Sequence, residues 1–209
     1  MITQTKETQA GMTPETALAL LKEGNIRFQK NGMESRDLTK QVVDTTNGQF
    51  PFATVLGCID SRASAELLFD QGIGDIFSVR IAGNFINQDI LGSMEFACKL
   101  AGTKLIVVLG HTSCGAIKGA CDDAKLGNLT SMLEKLKPAV SAVTSPEDAN
   151  QRNSSNTEFV NNVATKNVEL TIQNILSQSD VLADMHKNGE IKIVGGMYDI
   201  SNGAVTFFD

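Results

Sequence analysis

With no tryptophan, one tyrosine and an aromatic share of 5%, this 209-residue chain lacks the stacking platforms that hold bases or sugar rings. It has only four cysteines and two histidines, too few for a disulfide scaffold or an array of zinc sites. Apolar runs such as Leu105 to Leu109 are far too short to cross a bilayer, so no membrane role is expected. The opening MITQTKETQAGMTPETA lacks the basic start and apolar stretch of a secretion leader. The chain is therefore read as cytoplasmic, with its thiols reduced. Positive charge is in deficit too: 18 Lys and Arg against 24 Asp and Glu, net −6, which argues against nucleic acid or an anionic surface as partner. What remains is ordinary globular material, 42% hydrophobic and 20% charged, in a length suited to one domain over residues 1–209.

The pattern along the chain alternates between helix and strand signals. Residues 1–12 are expected to form a flexible arm. Thr13-Pro14 opens a first helix as cap and first-turn proline, carrying Leu18, Leu20, Leu21, Ile26 and Phe28 before fading at Asn31-Gly32. A polar stretch to Gly48 precedes a buried strand over Phe52–Cys58. Helix signals follow over Ala63–Asp70, Gln88–Ala101, Leu126–Val143 and Glu158–Ser177, with a polar loop over Ser145–Asn156. Strand signals fall on Ile76–Ile81, Lys104–Leu109, Ile191–Val194 and Ala204–Phe208. The run Leu-Ile-Val-Val-Leu is continuously apolar, as in strands covered on both faces. The expected fold is α/β, a mostly parallel sheet flanked by helices.

In that topology the scarce residues cluster. Cys58 ends the first strand, and His111 and Cys114 lie just beyond the Lys104–Leu109 strand, on the carboxyl edge where open α/β sheets bind ligands. Two thiolates and an imidazole suit one Zn²⁺, and three protein ligands leave a position open, the pattern of catalytic sites. Beside Cys58 stand Asp60 and Arg62. The carboxylate can either orient a water on the metal or bind the metal itself and close the site, with a bidentate guanidinium grip deciding between the two. Cys98, Cys121 and His186 read as packing or surface residues.

Cys58-Ile59-Asp60-Ser61-Arg62 and His111-Thr112-Ser113-Cys114 resemble the paired metal motifs of the β-class carbonic anhydrases, in the same order. Gly24-Asn25-Ile26-Arg27-Phe28, Arg80-Ile81-Ala82-Gly83-Asn84 and the ending Gly195 to Phe208 resemble further segments of that family, with Ile81 where the family usually has Asn. The resemblance spans Thr13 to the C-terminus and, as the chain has no Trp, points to the plant-like, non-allosteric subgroup. It implies Cys58, His111 and Cys114 as zinc ligands and Asp60 and Arg62 as the orienting dyad. It also implies Gln49, Phe77, Ala82, Phe96 and Gly115 as the pocket for CO₂ and bicarbonate. Phe96 stands where the family often has a Tyr, so any hydroxyl role there is lost. The implied reaction is reversible hydration of CO₂, favoured at mildly alkaline pH because two thiolates weaken the Lewis acidity of zinc. The implied assembly is a homodimer or a tetramer of dimers, with the site across a dimer interface. Hydrolysis of CS₂ or COS on the same scaffold, or a non-catalytic zinc module closed by Asp60, are the rival readings.

Overall fold

In a computed structural model, which describes residues 3–208, five strands form one sheet in the order β2-β1-β3-β4-β5. These are β1 (Ala53–Gly57), β2 (Ile76–Arg80), β3 (Leu105–His111), β4 (Lys192–Tyr198) and β5 (Val205–Phe208). The first four are mutually parallel, and β5 returns antiparallel to β4. Every residue of β1 and β3 is buried, the consequence of an apolar run covered on both faces. Gly57 pairs in register with Leu109, and His111 with Tyr198, so the carboxyl ends of β1, β3 and β4 open at one edge.

Ten α-helices surround the sheet among the described residues: α1 (Lys6–Ala10), α2 (Pro14–Gln29), α3 (Leu38–Asp44), α4 (Ala65–Leu68), α5 (Gln88–Glu95), α6 (Gly115–Cys121), α7 (Gly127–Glu134), α8 (Lys137–Ala142), α9 (Thr157–Gln178) and α10 (Asp180–Lys187). One face of the sheet packs Val55, Leu105 and Val107 with Leu21 of α2 and Leu68 of α4. The other packs Leu56, Ile106 and Val108 with Met94 of α5, Val168 of α9 and Leu182 of α10. A third apolar cluster joins Cys58, Cys114 and Ile117 to Phe159 and Val163 of α9.

Several expectations needed correction. The stretch before Gly48 is not all irregular: α3 forms there, capped by the Asp37 carboxylate accepting from the Lys40 amide at 2.8 Å. The single helix expected over 126–143 is two, because Pro138 has no N–H for the Glu134 carbonyl and its ring crowds that turn; Glu134 is the last residue of α7. The helix over 88–101 widens into a π-helical segment, Phe96–Leu100, with the Ala101 amide donating to the Phe96 carbonyl. The arm over 1–12 includes α1, whose Gln9 amide donates to the carbonyls of Pro51 at 2.7 Å and Ala101 at 2.8 Å; Met1 and Ile2 lie outside the described residues.

Candidate metal centre

Cys58 follows the last residue of β1, His111 is the last residue of β3, and Cys114 caps α6. The bend that turns Cys114 back toward His111 is made at Ser113, whose φ of +55° lies in the left-handed region. This strained residue is held by its amide donating to Asn161 Oδ1 on α9 at 2.9 Å. The ligand atoms of Cys58, His111 and Cys114 all lie within 4.8 Å of one another, and all three residues are buried. The two sulfurs are 3.9 Å apart.

The donor chemistry fits a zinc ion. His111 Nδ1 lies 2.9 Å from the Thr112 carbonyl, which can only accept, so the proton sits on Nδ1 and Nε2 keeps its lone pair. That Nε2 is buried with no hydrogen-bond partner, an orphan that a cation would satisfy. The thiols ionise as a pair. A hydrogen bond from Cys114 pulls Cys58 well below the ordinary thiol range against desolvation, with His111 and the Gly83 and Asp60 amides adding to the effect. The same contact, then burial, pushes Cys114 up. One thiolate is thus favoured at neutral pH, and a divalent cation held by Cys58, His111 and Cys114 would displace the second proton.

Asp60 sits at the rim, its Oδ2 3.9 Å from His111 Nε2. Arg62 grips it bidentately, Nε to Oδ1 at 2.9 Å and Nη2 to Oδ2 at 2.7 Å, and the Arg62 amide adds a bond to Oδ1 at 3.0 Å. These bonds hold the Asp60 carboxyl far below the usual carboxylate range, outweighing its partial burial. Arg80 braces the same turn from β2, donating to the Cys58 carbonyl at 2.9 Å and the Asp60 carbonyl at 2.7 Å.

A cleft of about 270 Å³ opens beside Cys58 and Asp60. Ala82 and Gly115 line it, joined by Ile59, Ala116, Gly119, Leu129, Met132 and Leu133, which sequence reasoning did not single out. The signal available was the spacing of Gly115 and Gly119, one helical turn apart, which clears space on that side of α6. The single chain does not bring the other three pocket candidates there. Phe77 on β2 and Phe96 on the π-helical segment pack edge to face, ring centroids 6.3 Å apart, in a separate groove beside the open edge of β2. Gln49 lies by Thr45, Thr46, Ile73 and Gly74. His186 is exposed in the last turn of α10, and Cys98 is packed against Thr103.

The family model described as carbonic anhydrase matches residues 53–205. The chain belongs to the carbonic anhydrase family. Carbonic anhydrase 2 of Mycobacterium tuberculosis is 35% identical over 205 residues, covering 94% of this chain and 93% of that protein. The carbonic anhydrase of Mycolicibacterium smegmatis is 34% identical, covering 92% of each. Among solved structures, a β-carbonic anhydrase of Aspergillus fumigatus superposes with a TM-score of 0.71 at 25% identity, over 93% of this chain and 90% of that one. A tetrameric β-carbonic anhydrase of Sordaria macrospora superposes at 0.69 and 25%, over 80% and 85%. The chain is thus a β-class carbonic anhydrase, an enzyme of reversible, zinc-dependent CO₂ hydration with a Cys58-His111-Cys114 group able to hold one zinc. No helix of the described residues is long and apolar enough to cross a membrane.

Proposed function

We propose that CO₂ hydration runs in the cleft beside Asp60, with Cys58, His111 and Cys114 as the zinc ligands. Zinc held there supplies Lewis acidity that makes an ionised water available near neutral pH. The remaining work falls to the chain. Asp60, kept charged by Arg62, accepts a hydrogen bond from the attacking water at Oδ2 and turns its lone pair toward the cleft. Because both Asp60 oxygens are engaged by Arg62, the carboxylate is held back from closing the metal position itself. The apolar walls from Ala82, Leu129, Met132 and Leu133 admit an uncharged linear molecule and keep bulk water away. The Gly115 N–H is offered to the bicarbonate product.

The observation that carries this reading is the buried, unpartnered His111 Nε2 facing two thiols and the Arg62-locked carboxylate. Metal analysis with stopped-flow CO₂ hydration tests it. One zinc per chain, with Asp60→Asn retaining the zinc and losing most turnover, is the expected result. Full activity in Asp60→Asn would remove Asp60 from the mechanism.

Gln49, Phe77 and Phe96 belong to the same pocket only through a second copy. They lie away from the cleft of their own chain, on a flank where Leu38, Val42, Leu67, Ile73 and Phe96 stay exposed, as a self-complementary interface requires. The assembly is a homodimer or a tetramer of dimers, with each site walled by both subunits. The enzyme is of the plant-like, non-allosteric kind, a reading that the absence of Trp from the chain supports, and it works in the cytoplasm.

A further inference from the structure

Helix α9 contributes no zinc ligand, yet two of its asparagines reach loops that carry or touch one. Asn167, 4% exposed, donates from Nδ2 to the Gly83 carbonyl at 2.8 Å. The Gly83 amide donates to Cys58 Sγ at 3.4 Å. Gly83 is the third residue of a turn closed by the Asn84 amide on the Ile81 carbonyl, and its φ of +83° is that of a type II turn. In such a turn the orientation of the central peptide decides where the Gly83 N–H points, and fixing the adjoining carbonyl restrains it. Space adds to the demand that the positive φ makes for glycine: a Cβ here would come within 2.7 Å of Leu136 Cδ1, which would have to shift. The second asparagine, Asn161, accepts from the amide of left-handed Ser113, between His111 and Cys114.

We propose that Asn161 and Asn167 are positioning residues for the zinc, α9 acting as a brace that sets the Cys58 sulfur from one side and the His111–Cys114 turn from the other. The inference rests on the reading of these three residues as the zinc ligands. An N–H···S bond draws electron density from the thiolate and fixes its direction, so its loss alters both how tightly the metal is held and the sulfur-to-metal electronic transition.

The two asparagines play opposite hydrogen-bonding roles, which makes one substitution decisive. Asn→Asp keeps an acceptor oxygen but loses the donor. Asn161→Asp therefore retains zinc affinity, whereas Asn167→Asp and Asn161→Ala lower it about 10-fold in chelator competition, the lower end for partners that orient a ligand. In the cobalt-substituted enzyme, Asn167→Asp shifts the sulfur-to-metal charge-transfer band, while Thr171→Val, one turn along α9 and equally buried, leaves it in place. Should the Asn167 variants fail to fold, the wild type decides: with cadmium-113 bound, the glycine-labelled chain shows scalar coupling between the metal and the Gly83 amide proton, transmitted through Cys58 Sγ. Absence of that coupling, or equal effects of Asn161→Asp and Asn167→Asp, overturns the proposal. A wild-type chain that binds no metal would instead overturn the reading of the ligands.

Discussion

At the carboxyl ends of β1 and β3 the ligand side chains are buried and the groups around them are tied down within one chain: Asp60 by Arg62, the Cys58 and Asp60 carbonyls by Arg80, Ser113 by Asn161. Across the sheet, beyond β2, the situation is reversed. Phe96 is 51% and Leu100 76% exposed, and Val42 and Val43 project from α3 into solvent. The first region buries polar groups and ties down those around the ligands internally, leaving His111 Nε2 as the orphan a cation would satisfy, since an unpaired buried donor or charge costs more than the bond it lacks returns. The second leaves apolar area uncovered, which carries no such demand and can be satisfied by another molecule. The metal centre is therefore preorganised in a single chain, while the flank beyond β2 keeps apolar area uncovered for the second copy proposed above.

The largest effect expected is on the first region. Cys114→Ser, or removal of zinc by a chelator, reduces stopped-flow CO₂ hydration to the uncatalysed rate, and metal content falls with it. Asp60→Asn lowers kcat/KM by roughly 10²–10⁴-fold, as loss of a positioned proton acceptor does, with zinc content unchanged.

Asp70 offers a way to loosen the second region alone. It is fully buried and bonded to Arg27 of α2 and to Arg36, tying the segment before α3 to the end of α4. Burial works to raise its carboxyl, but the bonds from Arg36 and Arg27 leave it below the ordinary range. Removing the carboxylate takes from Arg27 and Arg36 the buried charge they share, so Asp70→Ala should cost about 3–5 kcal/mol in denaturant unfolding while zinc still binds the folded fraction. Because the folded value is depressed, this stabilisation is complete above the ordinary carboxylate pKa of about 3.9 and disappears as pH falls through the lower folded value. Acid titration of unfolding in wild type, flattened in the variant, checks the sign.

Subunit mixing probes where the two regions meet. Gln49→Ala chains combined with Asp60→Asn chains should recover part of the activity each lacks alone, since some hybrid sites draw intact residues from both. No recovery would place Gln49 outside the pocket. The smallest effects belong to the scarce residues left over. Cys98→Ala, Cys121→Ser and His186→Ala should retain zinc and turnover; a His186→Ala loss rescued by external buffer would instead make it a proton carrier. Burial holds the Cys98 and Cys121 thiols up at about 11, so neither should be alkylated quickly at neutral pH.

Some of this was readable along the chain and some was not. β1 and β3 stood out because a strand covered on both faces has to be apolar throughout, which no surface segment imitates. Cys58, Asp60, Arg62, His111 and Cys114 stood out because metal and proton chemistry restrict the residue types that can serve. α3 was missed because its outward positions carry Val42 and Val43 among polar residues, giving no clear inward stripe. Leu129, Met132 and Leu133 look like ordinary helix core, and only the break before Pro138 and the packing of α7 on α6 make them a cleft wall.

The alternation of strands and helices along the chain, the Cys58-His111-Cys114 group able to hold a metal and the carboxylate beside it were legible from local pattern, since periodicity and side-chain chemistry act over a few residues. Which carbonyl Asn167 meets, which way the Gly83 amide points and which pocket Phe77 faces were decided by the tertiary structure alone. Those contacts join positions as far apart as Gly83 and Asn167, and the geometry of a hydrogen bond across such a separation exists only once the core has brought α9 and the turn after β2 together.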